Sequence, residues 1–140
     1  WEGVPTSSDS PTYTLQNLPR VARIDMDDTH LAIGCIADSG IKILELSNLS
    51  SPTYQDVPGQ DCATEVSLNE KGFFIPEMDK IIGWNSVEEA LSGSSPVMSF
   101  GGKTDKSNTG TRMAAGIGWD GYHLWVGEYK FSNRLLGFAP

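Results

Sequence analysis

Glu77 and Glu128 are the residues of this sequence whose type and spacing point most directly to chemistry. Each ends one of two similar segments, EVSLNEKGFFIPE and GIGWDGYHLWVGE, so the two carboxylates hold matching places. Asp38, Asp61 and Asp79 fall in connections near the same places. Carboxylates gathered from several segments suit a hard cation such as Ca²⁺, which takes about six to eight oxygen ligands. As a pair they also suit general acid–base work. A plainer use fits the same residues: an acidic rim facing water, or ion pairs with Arg20, Arg112 or Lys130. In a chain of net charge -8, exposed carboxylates are expected.

Other residue types carry less. His30 and His123 share a place in their segments, and paired histidines suit a metal. Their position, just before a strand and across from the carboxylates, suits a turn or packing role instead. Tyr129 and Phe131 stand beside Lys130 and Arg134 in one polar connection. Aromatic and basic residues together anchor protein or sugar partners, or pack the loop on itself. Cys35 and Cys62 are too few for a disulfide framework, and read as separate thiols or as one bridge in an oxidising compartment. Asn48-Leu49-Ser50 is a glycosylation sequon. No nucleophile elbow, P-loop or HExxH motif is present.

The elements that must position these residues repeat. Ser-Pro pairs fall at Pro11, Pro52 and Pro96, at intervals of 41 and 44 residues. Short stretches at residues 12–15, 53–57 and 97–100 follow them and read as extended. The interior segments 23–35, 65–77 and 116–128 align without gaps. Apolar residues coincide at Ile24, Val66 and Ile117; at Met26, Leu68 and Trp119; at Leu31, Phe73 and Leu124; and at Ile33, Ile75 and Val126. Asp27, Asn69 and Asp120 sit between them. Alternation, a polar tetrad, then alternation again predicts a β-hairpin. A third run led by a basic residue follows each time, at Lys42, Lys80 and Arg134. Helix is expected only at VEEAL, residues 87–91. Trp84, Trp119 and Trp125 fall inside strands and are expected to fill the packing between units.

Four short strands in about 42 residues are the signature of a β-propeller blade. The expected fold is all-β: one segment over residues 1–140 with repeats at about 11–51, 52–95 and 96–140. A β-sandwich with coincidental spacing is the alternative. The third unit resembles an NHL repeat through Phe100-Gly101, Ile117, Asp120-Gly121, Leu124-Trp125-Val126 and Asn133-Arg134-Leu135-Leu136-Gly137-Phe138. Residues 80–86, KIIGWNS, with Ser95-Pro96-Val97-Met98, look like a segment of NHL-like repeats from bacterial extracytoplasmic proteins. Units one and two lack the Asn-Arg pair. The resemblance implies a propeller that commonly has about six blades and mostly serves as a binding scaffold, with a few enzymes among its relatives.

These observations bound the function. Net charge -8 argues against nucleic acid and anionic membranes, which need clustered Lys and Arg. No apolar run reaches the roughly 18 residues of a membrane span. A start at Trp1 rather than Met points to a processed, trimmed or excised chain. Three blades fall short of the roughly four that the smallest propellers need, so a second copy or a missing half is expected to complete the ring. The expected role is a non-catalytic binding scaffold, extracytoplasmic or secreted, with a protein or carbohydrate ligand and no cofactor. The alternative is half of a propeller hydrolase or lyase with a central Ca²⁺-type site at Glu77 and Glu128.

Overall fold

The computed structural model describes residues 10–36, 40–60, 65–77, 80–101, 114–128 and 135–139. The alternating runs form strands, and the strands form three antiparallel sheets. The first sheet holds, in spatial order, β1 (Val21–Met26), β2 (His30–Cys35), β3 (Ile41–Glu45) and β4 (Tyr54–Asp56). The second holds β5 (Ser67–Asn69), β6 (Gly72–Glu77), β7 (Lys80–Trp84) and β8 (Met98–Gly101). The third holds β9 (Ala114–Trp119), β10 (Leu124–Glu128) and β11 (Leu135–Phe138). The all-β expectation holds, and none of the three sheets closes on itself.

The hairpin registers explain the repeat. Ile24 faces Ile33 and Met26 faces Leu31 across the first hairpin. Leu68 faces Phe73 in the second. Ile117 faces Val126 and Trp119 faces Leu124 in the third. Residues directly opposite in an antiparallel pair share a face, so the aligned apolar positions lie on one face of each sheet.

The post-proline stretches behave differently from one another. Tyr54–Asp56 pairs with β3, and Met98–Gly101 pairs with β7. Each outer strand therefore completes the sheet built by the preceding unit, and the Lys42–Asp56 ion pair ties β4 to β3. Residues 12–15 form no strand. A strand needs a ladder partner, and the open side of β3 is already taken by β4.

The sheets stack through apolar faces. The backward face of the second sheet carries Val66, Leu68, Phe73, Ile75, Ile82 and Trp84. It packs with Ala32, Ile41 and Ile43 of the first sheet. The Phe73 and Trp84 rings stack with centroids 5.8 Å apart. The forward face of the second sheet carries Phe74 and Ile81. These pack with Leu124 and Val126 of the third sheet, flanked by Ile117, Trp119 and Phe138. Trp84 and Trp119 thus fill junctions as expected. Trp125 does not: it is on the opposite face from Val126 and is 36% exposed.

Among the described residues one α-helix forms, α1 (Val87–Leu91), in the connection between β7 and β8. Ser86 caps it, its Oγ accepting from the Glu89 amide, while Glu89 reaches back to the Asn85 amide. This reciprocal arrangement satisfies amides that the first turn would otherwise leave bare. Val87 and Ala90 enter the junction between the first two sheets.

Candidate functional site

The first strands of the three sheets run next to one another, β1 meeting β5 and β5 meeting β9. Together they wall a groove of about 810 Å³. The groove is partly apolar, through Ile24, Met26, Val66, Leu68 and Ile117, and carries Asp25, Asp28, Glu65 and Glu70. A concave surface of mixed lining at the meeting of several strands is the usual setting for a ligand.

Arg23, Asp25, Glu65 and Glu70 are tied down between sheets. Arg23 on β1 reaches Glu65, with Nε to Oε2 at 3.2 Å. Glu65 is 8% exposed. Burial pushes its carboxyl up, and the Arg23 guanidinium opposes that rise. Asp25 Oδ2 accepts from the Leu68 amide at 2.9 Å, joining the first sheet to the second. The Trp119 indole donates to Glu70 Oε1 at 2.8 Å, joining the third sheet to the second. The Glu70 amide and then the Trp119 indole hold that carboxyl below its ordinary value.

Asp27, Asn69 and Asp120 perform one task in the three hairpin turns. Asp27 Oδ1 accepts from the Thr29 and His30 amides, both at 2.7 Å. Asn69 Oδ1 accepts from the Lys71 amide at 2.9 Å. Asp120 Oδ1 accepts from the Tyr122 and His123 amides, both at 2.7 Å. These are side-chain mimics of a backbone turn. Burial pushes the Asp27 carboxyl up, but the donated amides outweigh it and leave it below its ordinary value. Donation from the Trp125 indole, then from the His123 and Tyr122 amides, holds Asp120 far below the usual range.

The histidines belong to the same turns. His30 is 9% exposed, with Nδ1 at 2.9 Å from Thr29 Oγ1 and Nε2 at 3.8 Å from Glu88 Oε1. Thr29 Oγ1 also donates to Asp27 Oδ1 at 2.9 Å. With its proton directed at Asp27, the hydroxyl accepts from His30 and is not activated by it. His123 tilts against Trp125 with ring centroids 5.6 Å apart. Among the described residues, no three His, Cys, Asp or Glu side chains group to hold a metal ion.

Comparison with protein-family models and with curated proteins returns no match.

Glu77 is exposed at the end of β6 and forms an ion pair with Lys80 at 2.8 Å. Glu128 ends β10, its backbone opposite Ala114. Arg20 is exposed, and its carbonyl accepts from the Ile36 amide at 2.7 Å. Cys35 takes the place of Glu77 in the first sheet and is a free, buried thiol, pushed up by burial. Asp38, Asp61, Cys62, Asp79, Arg112, Tyr129, Lys130, Phe131 and Arg134 lie outside the described residues. The sequence reading missed the groove residues Arg23, Asp25, Glu65, Glu70 and Trp119. A signal for two of them was present, since Arg23 and Glu65 lead their aligned segments and carry opposite charge.

Proposed function

We propose that this chain is a β-propeller segment of the NHL-like kind, serving as a non-catalytic binding scaffold in a secreted or extracytoplasmic setting. In that reading each sheet is a blade, and β1, β5 and β9 are the inner strands that line a central channel. The observation that carries it is the adjacency of the three first strands along one groove. Blade-like stacking adds support, because equivalent faces meet at both junctions. Carboxylates of the groove are engaged by Arg23, a backbone amide and an indole. That arrangement shapes a wall and supplies no nucleophile with a base. The described partner of Glu77 is Lys80.

The test is a calorimetric screen of oligosaccharides and short peptides against the wild-type chain and the groove variants Asp28→Ala and Arg23→Ala. A groove ligand should lose about tenfold or more in affinity with at least one variant, as expected when a polar contact is removed. Ligands that bind all three proteins equally would place recognition elsewhere.

A further inference from the structure

The repeat makes it possible to ask what each face position does with a neighbouring sheet and without one. On the forward face, Ala32 and Ile43 of the first sheet are 0% exposed, and Phe74 and Ile81 of the second are 4% and 0% exposed. Their equivalents in the third sheet, Trp125 and Leu135, are 36% and 67% exposed. On the backward face, Val66 and Leu68 of the second sheet are 4% and 5% exposed. Their equivalents in the first sheet, Ile24 and Met26, are 62% and 57% exposed. Residue type is apolar throughout. At these positions exposure follows whether another sheet is present. The outer part of the first sheet's backward face is already covered, since Ile33 and Leu44 are 1% and 0% exposed. The bare part is the strip along β1.

We propose that a second copy of this chain docks head to tail on these faces. Trp125 and Leu135 of one copy lie against Ile24 and Met26 of the other. The inference rests on the propeller reading and names its partner. Each copy offers one forward and one backward face, so two copies form two identical junctions about a twofold axis and leave no apolar face over. Along the β1 strip the contact continues the interfaces seen within the chain. Trp125 is already held in place: its indole donates to Asp120 Oδ2 at 2.7 Å. An anchor fixed before binding loses little conformational freedom on docking.

The new junction lacks the polar ties of the internal ones. At the places of Asp25 and Glu70 the third sheet has Gly118 and Gly121. The dimer should therefore come apart on dilution, as a complex held by a modest apolar contact does.

The test is mass measurement by light scattering over a dilution series from high micromolar to nanomolar concentration. Wild type should move from twice 15.2 kDa toward 15.2 kDa. Leu135→Glu and Ile24→Glu should each be monomeric. Mixing the two should restore a dimer, because the mixture keeps one intact junction. The double variant Ile24→Glu, Leu135→Lys should also regain it through an ion pair across each junction. If Ile24→Glu is monomeric while Leu135→Glu stays dimeric, the copies meet through like faces and the head-to-tail arrangement is wrong. A wild-type chain that is monomeric throughout overturns self-association. The propeller reading then stands or falls separately, on whether cross-strand nuclear Overhauser contacts place β1 beside β5 and β5 beside β9.

Discussion

Asp27, Asn69 and Asp120 show how much of a hairpin one short side chain decides. Each places an oxygen where the amides two and three residues on would otherwise face water, or, in Asn69, meets the amide two residues on. An amide oxygen does this as well as a carboxylate, since Asn69 already does so. Asp27→Asn should therefore keep the turn and lose only the charge-dependent part of the stability at neutral pH, while Asp27→Ala should cost about 1 kcal/mol, measured by urea unfolding. These turns were legible because three polar residues recur in phase between apolar pairs. Asp25 and Glu70 were not legible as ties, because their partners lie 43 and 49 residues away in the chain. Nothing local marks such a bond.

Two carboxyls, the half-buried Asp27 and the buried Glu65, pull the acid behaviour in opposite directions. Asp27 is held below its ordinary value in the fold. Its stabilisation is complete above the unfolded value of about 3.9 and is lost as pH falls through the lower folded value. Glu65 is raised. The folded chain then holds its proton longer than the unfolded one, so stability falls as pH rises from about 4.3 through the raised value. Melting curves taken from about pH 3 to pH 7 should show Glu65→Gln removing that fall, and Asp27→Asn removing the loss on the acid side.

At the scale of strands and helices, the second sheet packs against another sheet on both faces. Ile75 is 0% exposed and sits in the cluster that joins it to the first sheet. Ile75→Ala should cost about 3 kcal/mol, from lost transfer energy and the cavity left between two sheets. The turn before β6 sets a second constraint. Gly72 has φ +138°, and a Cβ there would collide with the Trp84 carbonyl across the sheet. Gly72→Ala should lower the melting temperature by more than the usual surface substitution, with the strand order preserved in nuclear magnetic resonance spectra. Period-two alternation made nearly every described strand readable, from β1 to β11. The short α1 was readable too, from the helix-favouring stretch VEEAL in a connection. Residues 12–15 misled because an extended composition describes a willing strand, whereas a ladder also needs a vacant partner.

For the molecule as a whole, stacking was harder to read than the sheets. Alternation says that a face is apolar; it does not say what covers it. Trp125 was expected inside a junction because tryptophan is large and its neighbours alternate, yet its face is the forward one of the third sheet. The groove was less legible still, since it is made by three strands that are each separated by a whole sheet in sequence. A whole-molecule prediction follows from the polar ties at both junctions. The sheets should unfold together. A single calorimetric transition is expected for wild type, and Asp25→Ala with Glu70→Ala should broaden or split it as the coupling between neighbours weakens.

The outer strand of each completed sheet comes from the start of the next repeat. The stretch of sequence that is copied and the stretch that folds are therefore out of step by one strand. During synthesis the first sheet waits for Tyr54–Asp56 to emerge, so the second unit has begun before the first is finished. Any recombination at Pro52 or Pro96 would hand a borrowed edge to its neighbour. New copies added to such an array are stitched to the old ones from the moment they are translated.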